Sequence, residues 1–346
     1  MAKIESKKNP SKSPVLSPPI EQDYYISTVD QTQKVFRQLA EELKMPFISY
    51  WTSSGGSICH NDIIVFSHLL EDMPRGKTLA LFLKSNGGNP EAALRLVHLL
   101  RTHYEKIILL APFECASAAT MVALGSNEIQ MGPTSYLTAV DSSLKHDLSP
   151  VDHNNYLVSV SQDEVSRILR LWKQQSTKEN PFPEVYKYLH PLVIGALDRS
   201  SSLSIRVCKE LLSYHLRDSK RINHISKELN EGYPSHSYPI TAREAIRIGL
   251  HVKPLNQKVE SGLRLLNAIY SEMAKEKRND TDIQNHHVSE ICNIVECPGR
   301  QIHYLVDKDW HYRTEERRWV SMNDRSSWQS IRSNGKTWER KPLAIC

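Results

Sequence analysis

The chain has 346 residues, room for one large domain or two smaller ones. Hydrophobic residues make up 40% and charged residues 24%, near the average for soluble globular proteins, which excludes a wholly disordered, collagenous or membrane-embedded chain. The formal charge of +5, from 44 Lys+Arg against 39 Asp+Glu, is too small an excess to imply nucleic-acid binding.

Residues 1–22 mix Lys and Ser with Pro10, Pro14, Pro18 and Pro19. Such a segment buries too little apolar surface to offset its ordering entropy, and it is expected to be a flexible tail. It has no apolar leader, and no later stretch approaches the roughly 18 apolar residues of a spanning helix. The six cysteines, at 59, 115, 208, 292, 297 and 346, form no framework of close pairs. The expectation is a reduced cytoplasmic protein with no membrane span.

From Pro46 onward, short apolar runs alternate with helical patterns. PFISYW, TLALFL, KIILLAP and EIQM read as strands, and NDIIVFSHLLED, PEAALRLVHLLRTHY and SAATMVAL as helices between them. Nearly continuous apolar strands separated by helices signal βαβ units around a parallel sheet covered on both faces. Asn89 is placed to cap the second helix with Pro90 in its first turn, and Gly125 to end the short helix. Residues 158–174 and 185–216 carry apolar residues at three-to-four spacing and read as helical. In YPITAREAIRIGLHV, Thr241 and Glu244 have capping-box spacing and Gly249 sits where a helix would stop.

After Lys275 the pattern changes to short strands with turn residues. Trp310, Trp319, Trp328 and Trp338 recur at spacings of nine, nine and ten, and Asn334-Gly335 is a strong hairpin signal. Three segments are therefore expected: a tail at 1–22, an α/β domain at 23–275 and a C-terminal β-meander extension at 276–346.

Two strand-to-helix junctions carry candidate chemistry. In LFLKSNGGNP, Gly87 and Gly88 separate a strand from the Asn89 helix start, so backbone N–H groups can face an anion there. In APFECASAATMVAL, Ser117 opens a helix of small residues that lets a substrate carbonyl approach. Each feature alone has a structural reading, a turn that needs glycines or a serine cap. Together they fall at the carboxyl ends of consecutive parallel strands, the edge where open α/β sheets bind ligands.

The order SNGGNPEAALRLVHLLR, SAATMVALGSNEIQMGPTSYLTAVD, YPITAREAIRIGL resembles the serine dehydrogenase proteinase family over about residues 35 to 255. These Clp-fold serine proteinases, relatives of signal peptide peptidase A and Clp protease, belong to the Clp/crotonase superfamily. The resemblance implies a Clp/crotonase-type spiral of ββα units with a mainly parallel sheet, to which the small antiparallel module would be appended. It implies Ser117 as nucleophile, the N–H groups of Gly88 and Ala118, beside Gly87, as oxyanion hole, and homo-oligomeric rings or stacked discs. Ala119 and Asn86 stand where the family usually has Gly and Pro.

A serine hydroxyl needs a proton acceptor within hydrogen-bond reach. Lys145 and His146 follow Ser117 at about the spacing of the Clp histidine, with His146 the favoured base and Lys145 the alternative. His153 comes next, with Asp141 and Asp152 available to orient an imidazole. His286, His287, Cys292, Cys297 and His303 are ligand types for zinc, but their spacing is loose and no metal or cofactor is expected. Residues 300–346 mix ten Lys+Arg with six Asp+Glu among the tryptophans, more in keeping with a sheet core than a base-stacking surface.

The leading expectation is a serine endopeptidase acting on proteins or peptides, with the C-terminal module binding a further protein. The alternatives are crotonase-type acyl-thioester chemistry and a catalytically silent scaffold or adaptor.

Overall fold

The computed structural model describes residues 19–140, 143–175 and 180–345. Helix α1 (Pro19–Leu43) is followed by strand β1 (Phe47–Thr52), α2 (His60–Leu70), β2 (Gly76–Lys84), α3 (Pro90–His103), β3 (Tyr104–Ala111), α4 (Ala118–Leu124) and β4 (Glu128–Met131). The four strands pair in parallel in chain order, with Tyr50 beside Leu83, Leu81 beside Leu109 and Leu110 beside Gln130. Their continuous apolar runs follow from burial on both faces. Ile48, Tyr50, Leu79, Leu81, Leu83 and Leu109 pack under α2, α3 and α4, while the alternate residues Phe47, Trp51, Ala80, Phe82 and Leu110 face the other way.

That second face is covered by α1 and a later helix. Helix α1 starts at Pro19, inside the segment expected to be a tail; residues 1–18 lie outside the described residues. Proline is tolerated in a first helical turn because its missing N–H has no intrahelical partner there. Tyr25, Val29, Phe36 and Leu39 enter the core, but Thr32 and Gln33 interrupt the apolar stripe although both are buried, which hides the helix from a hydrophobicity pattern.

A second, shorter ladder runs beside the main sheet. Ile58 bridges Gly88, Ser85 bridges Cys115, Glu114–Cys115 pairs with Tyr136–Leu137, and Leu137 bridges Ile240. Successive turns of chain thus supply a long strand, a short strand and a helix, the ββα spiral.

A helical lobe follows, with α5 (Gln162–Gln175), α6 (Pro191–Ser213), α7 (Ser219–Lys227) and α8 (Ala242–Arg247), before the chain returns to the sheet edge as β5 (Val252–Pro254), and α9 (Gln257–Met273) then packs beside α1 on the second face. The continuous pattern expected from residue 185 breaks at Pro191, which takes the first turn of α6 while His190 Nδ1 accepts the Leu192 N–H at 3.2 Å. Thr241 stands at the N-cap of α8 but its side chain makes no capping bond. Gly249, at φ +104°, ends the turn.

The C-terminal strands β6 (Asn285–Cys297), β7 (Arg300–Arg313), β8 (Arg318–Asp324), β9 (Ser327–Ser333) and β10 (Trp338–Leu343) are antiparallel. Four residues of β6, Asn293 to Glu296, pair antiparallel with β1, Tyr50 beside Val295, so these strands continue the main sheet into one of eleven strands. The four periodic tryptophans fall one each on β7, β8, β9 and β10. The order departs from a simple meander. Strand β7 is long enough to pair with β9 through its first half and with β8 through its second.

A buried carboxylate ties this extension down. Glu296, with no exposed surface, accepts from Thr32 Oγ1 (2.5 Å) and Gln33 Nε2 (2.7 Å) on α1, Tyr270 OH (2.8 Å) on α9 and Gln301 Nε2 (2.7 Å) on β7.

Candidate active site

Beyond the end of β2 the chain passes through Gly87 and Gly88 at φ +108° and +147°, a backbone that L residues adopt only under strain. Space forbids a side chain as well. A Cβ on Gly87 would sit 2.7 Å from Ala116 O and Ser117 Cβ, and one on Gly88 would sit 2.3 Å from Ile58 O. Ile58 N donates to Gly87 O and Asn89 N donates to Ile58 O, both at 2.8 Å. The ladder thereby holds the segment on either side of Gly88, whose own N–H has no backbone partner among the described residues. Asn89 then caps α3 by accepting from Ala92 N at 2.7 Å, with Pro90 in the first turn.

Ser117 stands at the N-cap of α4, yet its hydroxyl makes no capping bond. Its backbone, φ +52° and ψ −118°, is strained for a residue with a Cβ, a cost on the order of 1–3 kcal/mol that persists only where the surroundings impose it. The constraints are visible. Ser117 N donates to Thr138 Oγ1 (2.8 Å), Thr138 N donates to Thr120 Oγ1 (3.1 Å), and Thr120 Oγ1 donates to Cys115 O (2.7 Å). Ala119 N and Met121 N donate to Ala116 O and Ser117 O, which leaves the Ala118 N–H without a backbone partner among the described residues. Helix α4 is buried throughout, and Gly125 ends it in ordinary helical geometry. Glycine is needed there because a Cβ would lie 2.5 Å from Val97 Cγ1.

Gly88, Ser117 and Ala118 open onto a cleft of about 130 Å³, walled by Met121 and Val140, by Ser200 and Ser204 of α6, and by His236. His236 is the functional candidate that the sequence reading missed. It lies in the loop before α8, where Tyr233 stacks on Tyr238 (centroids 5.1 Å apart) and Tyr238 N donates to Ser235 O (3.1 Å). Ile240, four residues on, exchanges two backbone hydrogen bonds with Leu137, the neighbour of the Thr138 that holds Ser117. The only sequence signal was its position just ahead of the third motif, because its pairing partner is more than a hundred residues away.

Lys145, His146 and His153, expected to supply the base, are not among the residues that line the cleft. The Nδ1 of His146 accepts the Leu148 N–H at 3.1 Å and its own N–H donates to Ser149 Oγ at 3.0 Å, so it closes its own turn. Lys145 is exposed, and so is His153, whose Nε2 lies 3.1 Å from Asn154 Nδ2. Asp141 lies outside the described residues; Val140 and Ser143 on either side of it in sequence both line the cleft.

No group of three or more potential metal ligands converges among the described residues. Of the histidines and cysteines noted near the C-terminus, His303 is wholly buried with neither ring nitrogen bonded, and burial lowers its pKa to about 3. No helix among the described residues is long and apolar enough to cross a membrane.

No protein-family model matches the sequence. An uncharacterised protein of Methanocaldococcus jannaschii is 23% identical over 189 residues, 52% of this chain and 54% of that protein, so the chain spans about half the length of the curated relative it matches. Among solved structures, the chain is similar to a mutant of 1510-N, a membrane-bound stomatin-specific protease in complex with a substrate peptide. The TM-score is 0.37 and the identity 17%, over 62% of this chain and 78% of that one. It is also similar to a mutant of ClpP1 from Listeria monocytogenes, with a TM-score of 0.34 and 13% identity over 64% of this chain and 99% of that one. Both likenesses are remote.

Proposed function

We propose that the chain is a serine hydrolase that cleaves peptide bonds through an acyl-enzyme on Ser117, with His236 as general base. The observation that carries this reading is the strained Ser117 backbone, which presents an uncapped hydroxyl to a cleft shared with a histidine. A serine kept only as a cap has no need of φ +52° and would use its hydroxyl on the helix. Acyl-thioester chemistry would leave both the strain and the uncapped hydroxyl without a purpose.

In this reaction Ser117 Oγ attacks the scissile carbonyl as His236 takes its proton. The carbonyl oxygen becomes an oxyanion, and the N–H groups of Gly88 and Ala118 donate to it. His236 then passes the proton to the leaving amine, and water, deprotonated by the same imidazole, releases the acyl group.

The test is labelling by a fluorophosphonate. Wild type is expected to react at Ser117, Ser117→Ala not at all, and His236→Gln slower by roughly two powers of ten, with His146→Ala unaffected. Full labelling of His236→Gln would remove His236 from the mechanism, and an unlabelled wild type would sink the hydrolase.

A further inference from the structure

The stretch Ser53-Ser54-Gly55-Gly56-Ser57 plays no part in the chemistry above, yet it shapes a second cavity. This loop lies flat on β6. Ser53 N donates to Cys292 O at 2.8 Å, and Asn293 Nδ2 donates to Ser57 O at 2.8 Å and to the buried Asp62 at 2.9 Å. A Cβ on Gly56 would fall 2.1 Å from Cys292 O, so only glycine permits the contact. Beside these glycines a pocket of about 260 Å³ opens between the loop and the C-terminal strands. Tyr304, Val306 and Trp328 form its aromatic and aliphatic side, with the Tyr304 and Trp328 rings 5.2 Å apart, and Cys59 and Cys292 add two thiols. None of its lining residues carries a carboxylate, an ammonium or a guanidinium.

This pocket and the Ser117 cleft border the same ladder. Ser57 and Cys59 line the pocket, Gly88 lines the cleft, and Ile58 is hydrogen-bonded to both neighbours of Gly88. Adjacent strands lie about 4.8 Å apart and an extended chain advances about 3.3 Å per residue, so the step across the Ile58–Gly88 bridge is about two residues of extended peptide. The volume is below that of the roughly 300–1,000 Å³ sites that take whole small molecules, and it suits one large side chain.

We infer that this pocket is a specificity subsite for an aromatic or large aliphatic side chain of the polypeptide substrate, a few residues from the scissile bond. The C-terminal strands thereby act in substrate selection. The inference rests on the peptidase reading only for the identity of the occupant, so its test measures binding apart from hydrolysis.

Cys59 is the half-exposed thiol among the described cysteines; the others are buried. The full-length Ser117→Ala protein is incubated with peptides that share one core and carry Phe or Gly at successive flanking positions, and iodoacetamide alkylation of Cys59 is followed by mass spectrometry. One Phe position is expected to slow alkylation at least tenfold at saturating peptide, with its Gly counterpart leaving the rate unchanged. Val306→Trp, which fills the pocket, is expected to abolish the protection, and Ser57→Trp on the exposed loop gives the same readout if the strand variant does not fold. In wild type the same Phe is expected to lower KM with kcat unchanged. Equal alkylation with all peptides overturns the subsite even if all are hydrolysed. Protection without any hydrolysis supports the subsite and refutes the peptidase.

Discussion

The carboxyl group of Glu296 makes the stability of the fold depend on pH in a direction opposite to the usual carboxylate. It is fully buried and meets four neutral donors, with no cation against it in the network. Burial raises its pKa, the four hydrogen bonds pull it back, and the balance is about 7 against an ordinary 4.5. The folded protein therefore keeps a proton that the unfolded chain releases between about pH 4.5 and 7. The stability tied to that proton is complete at the acid end and is lost as pH rises through the window. A shift of this size corresponds to about 3 kcal/mol at 1.36 kcal/mol per unit. The perturbation is Glu296→Gln, which stays neutral at every pH, and the assay is urea unfolding of both proteins at pH 5 and pH 8. Relative to wild type, the variant is expected to gain about 3 kcal/mol on going from pH 5 to pH 8. An identical cost of substitution at both values would refute the reasoning, since it would mean that four hydrogen bonds suffice to keep the carboxylate ionised in the core.

Ser117→Ala is expected to abolish hydrolysis while changing unfolding free energy by less than about 1 kcal/mol, because the hydroxyl caps nothing; Ser117→Gly, freed of the positive-φ strain, should be more stable by about 1 kcal/mol in the same assay. Gly88→Ala places a Cβ 2.3 Å from Ile58 O at φ +147° and is expected to lose fluorophosphonate labelling together with more than about 2 kcal/mol of stability. His303 is neutral in the fold and its pKa is lowered to about 3 by burial, so stability is lost as pH falls below about 6.5. In His303→Leu that acid loss should vanish, and the two unbonded ring nitrogens that cost about 1–3 kcal/mol disappear with it. Leu148, Val151, Tyr156, Val158, Ile168 and Leu171 expose apolar surface on one lobe, which a second copy would cover, and light scattering is expected to give a particle larger than the 39.6 kDa chain at micromolar concentration.

Some of this molecule is local and could be read from the chain. The parallel strands announce themselves because both of their faces are buried, so Phe47 to Trp51 or Leu79 to Leu83 show no polar alternation. Asn89 and Pro90 mark the start of α3 through bonds that span three residues, and the tryptophan spacing counts out one strand each in the extension. Ser117 and the Gly87-Gly88 pair were visible because each junction needs small residues within a few positions of one another. What the sequence could not decide is which distant segments meet. His236 enters the Ser117 cleft only because Ile240 pairs with Leu137, and His146 is left outside it although it is far nearer in the chain. The β extension joins the main sheet because β6 matches the free edge of β1 and Glu296 finds donors on α1, α9 and β7. Periodicity registers neighbours up to about two helical turns apart, whereas strand pairing and buried hydrogen bonds are chosen by complementarity between surfaces that exist only once the chain has folded.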